Sequence, residues 1–184
     1  MTEKAGEAEI GQMRSIVGSL AWIARQCRPD LSYEVSRGQS RVSKALHQYL
    51  KDINAAVQNS LERSDDGIVY RSRKSGCKVD WSTALMTSIT DASFCQEIVI
   101  ENGVEKKRRS QKAVINCLTS PDILENDEAD IHIINWQSVT DKKVCNSTLM
   151  AETHAMMSGT DYGDKFRAII QSMKGELKLN EWEN

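Results

Sequence analysis

The stretch CNSTLMAETHAM, residues 145–156, decides the fold predicted for the second half of this chain. From near Ser147 apolar residues recur at helical spacing, so a helix of about 25 residues is predicted to begin there. Steps of three and four residues from Glu152 define one helical face, which carries Met156, Gly159, Gly163, Phe166 and Ile170. Two glycines on that face would let the helix lie close to a sheet. A carboxylate on an inward face needs a partner, so the question is what Glu152 faces.

Composition excludes several classes of protein. The 184 residues are 40% hydrophobic and 27% charged, with a net charge of −2, so the chain can bury a core but lacks the basic balance of a free-standing nucleic-acid binder. No apolar run approaches the roughly 20 residues of a membrane span, and the start, MTEKAGEAEIGQ, does not resemble a secretory signal. Five scattered cysteines without a CxxC pair favour reduced thiols in an intracellular protein and argue against a zinc site.

The period of the apolar residues changes along the chain. Helical spacing predicts three helices, at about 10–26, 30–44 and 47–61. Short β-branched runs then predict a meander of strands, formed by GIVYRS, LMTSITDAS, EIVIENG, KAVINCLT and IHIINW. The predicted class is therefore α+β or α/β. Its predicted parts are an irregular N-terminus at 1–12, a helical piece at 13–66, and a part at 67–184 made of strands followed by a helix.

A second carboxylate, Asp91, ends the strand-like run LMTSITDAS. Asp91 on a strand and Glu152 on an inward helical face, aimed at one point, would form half of a divalent-metal site, and oxygen ligands suit Mg²⁺ or Mn²⁺. Two such ions can activate a water molecule and stabilise the leaving oxygen in phosphodiester hydrolysis. The alternative from residue types alone is that Asp91 is a turn residue and that Glu152 interacts favourably with the helix dipole.

Several motifs resemble the segment of copia-type retrotransposon Pol polyproteins that runs from the end of the reverse transcriptase into the ribonuclease H domain. MRSIVGSLAWIARQCRPDLSYEVSR at 13–37 is similar to the family's YRSLVGSLLYLA…TRPDISFAVSRLS. TDAS at 90–93 resembles SDADW, and RRSQKAVI at 108–115 resembles RKSTSGYVF. INWQSVTDKKVCNSTLMAETHAM at 134–156 is similar to ISWKSKKQ…VALSSTEAEYMAL. A looser likeness covers LKDINAAVQNSLERSDDGIVY at 50–70.

The resemblance implies a fold and an activity. It implies a five-stranded mixed sheet with packed helices that cuts the RNA strand of an RNA–DNA hybrid by two-metal hydrolysis, with Asp91 and Glu152 as catalytic and metal-binding residues. Residues 13–66 would be thumb and connection helices of the polymerase. The palm signature YxDD is absent, so DNA synthesis is not predicted. The implied partners are the hybrid and the rest of the polyprotein, in a cytoplasmic particle or the nucleus, with no membrane.

This chain departs from the family pattern in its carboxylates. The family carries a further aspartate on a strand after the Glu-bearing helix, and that strand is not found before Asn184. Asp161 and Asp164 lie too far along the helix and off its face to replace it. The ribonuclease H-like part is therefore predicted to be truncated before its last strands and inactive alone. The alternative function is a non-catalytic remnant that binds nucleic acid or protein.

Two further features have competing interpretations. The basic run EKKRRSQK supplies Lys106, Lys107, Arg108, Arg109 and Lys112, which would contact the phosphates of a hybrid or simply form a solvated hairpin loop. His154 lies two residues after Glu152 and points to a different helical face, so it is predicted to be a surface or packing residue.

Overall fold

A computed structural model describes the backbone of residues 4–44, 46–101 and 104–175, and the side chains of the same residues except 44, 97–101 and 104–108. The chain divides into two compact units. The first consists of Met1–Val69 with the short segment Gln137–Val139, and the second of Tyr70–Trp136 with Thr140–Asn184. The boundary after Val69 lies close to the one predicted after residue 66, because the apolar period changes there.

Three helices form the first unit: α1 (Glu7–Gln26), α2 (Ser32–Arg41) and α3 (His47–Glu62). All three segments were predicted as helices from their apolar spacing. Their inward residues form one core, whose most buried members include Met13, Val17, Leu20, Leu31 and Ile53.

The first helix begins earlier than predicted. Residues 1–12 were expected to be irregular and the apolar spacing placed the start of the helix near residue 10, but α1 starts at Glu7. Glu7 and Glu9 lie in the first turn, where negative charge is favourable with the helix dipole. Glu9 also accepts a hydrogen bond of 2.8 Å from the backbone N–H of Gly6. These acidic residues stabilise a first turn that has no apolar periodicity, which is why the apolar pattern did not predict it.

A buried arginine joins the ends of two helices in the first unit. Arg28, only 3% exposed, follows α1 and donates two hydrogen bonds to the carboxylate of Asp30, at 2.9 and 2.8 Å. It also donates to the carbonyl of Arg63, at 2.7 Å, just beyond α3. The last carbonyls of a helix lack partners within the helix, so Arg28 satisfies one while Asp30 balances its charge.

The second unit contains an open three-stranded antiparallel sheet in the order β1 (Leu85–Glu101), β2 (Val104–Thr119) and β3 (Ile131–Thr140). In the first part of the β1–β2 ladder Ser88 pairs with Asn116 and Thr90 with Val114. The register shifts between Ser93 and Glu97, where Cys95 adopts a positive φ of 51°. This bulge interrupts the ladder but does not end the strand.

The strands differ from the predicted set in two respects. LMTSITDAS and EIVIENG were predicted as separate strands, but LMTSITDAS and the first five residues of EIVIENG both lie in β1, since the bulge bends the strand without a turn. The last two residues of EIVIENG lie outside the described residues. GIVYRS is not a strand. The described residues from 67 to 84 form no ladder, and Tyr70 is held through its side chain, which donates to the carbonyl of Ile133 at 2.6 Å. A β-branched run becomes a strand only where another strand offers a ladder.

The long helix α4 (Thr148–Lys174) follows β3, as predicted. The Ser147 side chain caps its start by accepting a hydrogen bond from the N–H of Met150, at 3.1 Å. At its end Gly175 takes a left-handed conformation with φ of 73°, which glycine adopts without strain. The buried row of α4 comprises Ala151, Ala155, Gly159 and Gly163.

The row of α4 that packs on the sheet begins at Ala151, whereas the predicted face began at Glu152. Both series contain Gly159 and Gly163, so the difference is confined to the first turns. A Cβ atom added to Gly159 would lie 2.5 Å from the Thr90 methyl carbon, and one added to Gly163 would lie 3.0 Å from the Ser88 hydroxyl oxygen. Small residues every four positions therefore let α4 lie almost directly on β1 and β2.

The architecture is thus mixed α+β, which agrees with the predicted class. No helix in the described ranges combines the length and the apolar character that crossing a bilayer requires.

We expect Gly159→Ala to destabilise the second unit by about 1–3 kcal/mol, because the added methyl overlaps the Thr90 methyl. Denaturant unfolding followed by circular dichroism measures the change. Gly18→Ala is the matched control, since a Cβ there meets nothing within 4 Å and alanine in an open helix is stabilising by about 0.5–1 kcal/mol. Thr90→Ser removes the opposing methyl, so it should recover most of the loss in the double variant. A double variant as unstable as Gly159→Ala alone would contradict this packing.

Arg28→Lys should destabilise the first unit by about 1–3 kcal/mol, because a single ammonium group cannot bind the Asp30 carboxylate at two points and also reach the Arg63 carbonyl. The same unfolding measurement applies. Arg25→Lys, an exposed change in the last turn of α1, controls for replacing arginine by lysine. Equal stabilities of the two variants would contradict the role given to Arg28.

Candidate functional site

One face of the β1–β2 ladder is covered by α4. The Ser88 hydroxyl donates to the carbonyl of Gly159 at 3.0 Å, and the buried Asn116 amide donates to the same carbonyl at 3.1 Å and to Ser88 at 2.6 Å. Thr90 and Val114 also contact the Gly159 position. Because side chains alternate along a strand, even-numbered residues in this part of β1 and β2 face α4.

Asp91 therefore faces away from α4. It pairs with Ala113 in the regular part of the ladder, and its odd-numbered neighbour Ile89, on the face opposite α4, is 50% exposed. Asp91 itself is exposed, whereas Glu152 lies half-buried on α4, on the covered side of the sheet. Ligands of a two-metal centre must approach the same pair of ions. The arrangement thus separates the two carboxylates predicted to share Mg²⁺ or Mn²⁺, and it argues against that site.

The basic residues predicted to contact nucleic acid are only partly described. The side chains of Lys106, Lys107 and Arg108 lie outside the described residues. Arg109 donates to the carbonyls of Asp141 and Lys142, at 3.5 and 3.2 Å, and Lys112 donates to the Ser158 hydroxyl at 2.7 Å. The two described side chains thus bind within the second unit, which gives little support to a phosphate-binding strip.

A different cluster of polar side chains surrounds the start of α4. Asp141 follows β3, Cys145 precedes the cap residue Ser147, and His154 lies in the second turn of the helix. His154 Nδ1 lies 2.6 Å from Asp141 Oδ2, and Cys145 Sγ lies 3.6 Å from each of these two atoms. It is the single group of three or more His, Cys, Asp and Glu side chains within the described residues whose ligand atoms converge in this way.

The backbone holds the Asp141 carboxylate in place. The N–H of Asp141 donates to the carbonyl of Ser110 at 2.8 Å, which ties the loop to β2. The N–H of Lys143 donates to Asp141 Oδ1 at 3.0 Å, so the other carboxylate oxygen, Oδ2, faces His154 and Cys145. Asp141 is 4% exposed and Cys145 6% exposed. These contacts build a nearly enclosed site whose ligand atoms are oriented before anything binds.

The charge state of Asp141 follows from these neighbours. Burial raises the pKa of this carboxyl group, but the hydrogen bonds from Lys143 and His154 and the charge of Lys112 more than offset that effect, so the pKa lies below its usual value. Asp141 is therefore a carboxylate at neutral pH.

The geometry rules out a nucleophilic Cys-His-Asp triad. In such a triad the nucleophile and the carboxylate bind opposite nitrogens of the imidazole, so that a proton can pass between them. Here Cys145 and Asp141 both approach His154 Nδ1. The cluster thus offers a sulfur, a nitrogen and an oxygen around one point, which is the geometry of a chelating site rather than that of a proton relay.

Sequence reasoning did not find this cluster. His154 was predicted to be a surface or packing residue, and the scattered cysteines were taken as evidence against a zinc site. The available signal was the clustering of metal-ligand residue types around a predicted helix start, in the spacing D-x₃-C-x₈-H from Asp141 to His154. Residues at that spacing come together only when the loop after β3 folds back along the first turns of α4.

Asp141→Asn should destabilise the second unit by about 1–3 kcal/mol at pH 7, because the amide cannot replace a buried carboxylate that binds both His154 and Lys143. The folded-state pKa is depressed, so the contribution of Asp141 is present above the unfolded value of about 3.9 and is lost as the pH falls through the folded value. The difference in unfolding free energy between the variant and the parent chain should therefore be largest at neutral pH and shrink as the pH falls below the ordinary carboxyl value. The exposed Asp161→Asn is the charge control, and a difference that does not shrink as the pH falls would contradict the assignment.

The chain matches no protein-family model, no curated protein and no solved structure. The likeness to copia-type Pol polyproteins therefore rests on the sequence motifs themselves, and the activity drawn from it is a proposal.

Proposed function

We propose that this chain is a segment of a copia-type retrotransposon Pol polyprotein whose ribonuclease H-like part acts as a non-catalytic structural module. The observation that carries the proposal is the order in which the family-like motifs fall on consecutive elements of the second unit. TDAS lies in β1, RRSQKAVI in β2, and INW in β3, and the STLMAETHAM stretch caps and starts α4. Four unconnected chance matches would not be expected to occupy one sheet and the helix packed on it.

The packing of that helix supports the same assignment. In the fold that the resemblance implies, the helix that carries the glutamate packs against the strand that carries the aspartate motif. Here α4 contacts Ser88 and Thr90 of β1, beside Asp91, through Gly159 and Gly163. The first unit adds the helices implied for residues 13–66, with the RPD motif at Arg28–Asp30 forming an ion pair of 2.8 Å between the buried Arg28 and the exposed Asp30.

The non-catalytic part of the proposal rests on the separation of Asp91 and Glu152. Two-metal hydrolysis requires carboxylates that bridge or jointly hold ions about 3.5–4 Å apart. Strand alternation puts Asp91 on the face of the sheet opposite α4, whereas Glu152 lies on α4 itself. Moving Asp91 to the other face would require a one-residue slip of β1, which would also expose Ser88 and Thr90 and remove their contacts with α4.

A structural role accounts for the basic residues better than hybrid binding does. Arg109 and Lys112 bind within the unit, and the chain carries a net charge of −2. Affinity for a duplex grows with the number of phosphates that free basic side chains neutralise. The proposed partners are therefore the other segments of the polyprotein, with the RNA–DNA hybrid as a substrate bound elsewhere in it.

The test is a cleavage and binding assay with a labelled RNA–DNA hybrid in Mg²⁺ or Mn²⁺. The parent chain is compared with Asp91→Asn and Glu152→Gln, both purified in the same way. We expect no cleavage above the level of the two variants, because neither carboxylate takes part in a metal centre. Fluorescence anisotropy at several salt concentrations should show no tight, salt-dependent binding of the hybrid.

Cleavage by the parent chain that both variants abolish would overturn the proposal and show that the chain is a nuclease. Cleavage that survives both variants identifies a contaminating nuclease and agrees with the proposal. Tight binding of the hybrid without cleavage would contradict the structural role and indicate that the chain is a nucleic-acid-binding module.

A further inference from the structure

We propose that Asp141, Cys145 and His154 form a binding site for a Zn²⁺ ion at the start of α4, with the fourth position of the ion open to a water molecule or an external ligand. The inference uses only the second unit and is independent of the function proposed above.

Two of the three distances between the ligand atoms match those of a tetrahedral zinc site. Bond lengths of about 2.3 Å to sulfur and 2.0–2.2 Å to nitrogen and oxygen place sulfur roughly 3.6 Å from each of the other ligand atoms in a tetrahedron. Cys145 Sγ lies 3.6 Å from both His154 Nδ1 and Asp141 Oδ2. The third edge, 2.6 Å from nitrogen to oxygen, is a hydrogen bond. It would open to roughly 3.4 Å as the ion enters between the two atoms.

The surroundings hold the ligands as a metal site requires. The Lys143 N–H occupies Asp141 Oδ1 and leaves Oδ2 for the ion, and the Ser110 carbonyl fixes the backbone of Asp141. Outer contacts of this kind orient the ligands and raise metal affinity. The capped start of α4 fixes the backbone of His154 relative to Cys145. With Asp141 and Cys145 each less than a tenth exposed, little solvent competes for the ion.

The ligand set selects the metal. A thiolate and an imidazole favour a borderline-soft ion such as Zn²⁺ over Mg²⁺ or Ca²⁺, which prefer oxygen. Zinc binding would release the Cys145 thiol proton to solvent, because the thiolate is the form that binds metal. The proton that His154 Nδ1 donates to Asp141 would pass to Nε2 by exchange with solvent, so that the Nδ1 lone pair binds the ion. One thiolate and one carboxylate then balance the two charges of the ion. Three protein ligands with an open fourth position are typical of reactive zinc sites rather than of closed structural ones.

The test uses the full chain, freed of metal and titrated with Co²⁺ as a spectroscopic substitute for Zn²⁺. We expect one equivalent to produce a thiolate-to-cobalt charge-transfer band in the near ultraviolet and strong visible bands, and Zn²⁺ to displace both. Cys145→Ser should lose the charge-transfer band completely. Asp141→Asn and His154→Gln should bind at least about 100-fold more weakly, since even outer-shell contacts are worth 10–100-fold.

The matched control is Cys77→Ser. Cys77 Sγ lies 3.4 Å from His132 Nε2, so it forms a second thiol–imidazole pair in the same unit, and no carboxylate of the described residues converges on that pair. This variant should keep the full spectrum. No charge-transfer band in the parent chain, or a band lost in Cys77→Ser and kept in Cys145→Ser, would overturn the proposal.

A measurement on the parent chain covers the case in which a ligand variant fails to fold. Zn²⁺ should slow alkylation of Cys145 by at least about tenfold, because the metal-bound thiolate is withdrawn from reaction, while the rate at Cys77 stays unchanged. Peptide mapping by mass spectrometry separates the two cysteines. Equal rates at Cys145 with and without Zn²⁺ would overturn the proposal.

Discussion

The close approach of α4 to β1 and β2 at Gly159 and Gly163 is the contact on which the second unit depends. No side chain separates the helix from the sheet there, so hydrogen bonds reach directly from Ser88 and Asn116 to the Gly159 carbonyl. A helix interior carbonyl already accepts a backbone bond, and these additional donors also fix the helix along the strands. The row of small residues on α4 thereby sets both the distance and the axial position of the helix.

That position determines what the start of the helix can reach. With Gly159 seated over Thr90, the first turns of α4 project beyond the regular part of the ladder, near the bulge that follows Ser93. The loop after β3 must return to this point within a few residues, and the bond between Asp141 and Ser110 fixes its path. Cys145 and His154 then face Asp141 because loop and helix are both held to the same two strands.

The same constraint bears on the predicted carboxylate pair. Strand alternation leaves Asp91 on the face opposite α4 once Ser88 and Thr90 contact the helix. Under the proposed assignment to a copia-type polyprotein, the second unit would share the order of strands and helix with a ribonuclease H-like domain while Asp91 and Glu152 belong to different sides of the sheet. The proposed zinc site uses the same helix start with softer ligands.

The sequence by itself determined the helices, β3, the end of the helical part near residue 66 and the inward position of Gly159 and Gly163. These features follow from local periodicity and capping, which depend on consecutive residues. It did not determine that residues 7–9 are helical, because the acidic first turn carries no apolar signal. The sequence also did not distinguish a β-bulge within one strand from a turn between two strands.

Only the tertiary structure decided which side chains share a site. Glu152 and Ala151 differ by one step of about 100° around the helix, so apolar counting could start the inward row at either residue, and packing on the sheet selected Ala151. Asp141, Cys145 and His154 belong to a strand end, a loop and a helix, and their spacing in the sequence does not by itself show that their ligand atoms meet. They meet because β2 holds the loop and the sheet holds α4, which are contacts between residues distant in the chain.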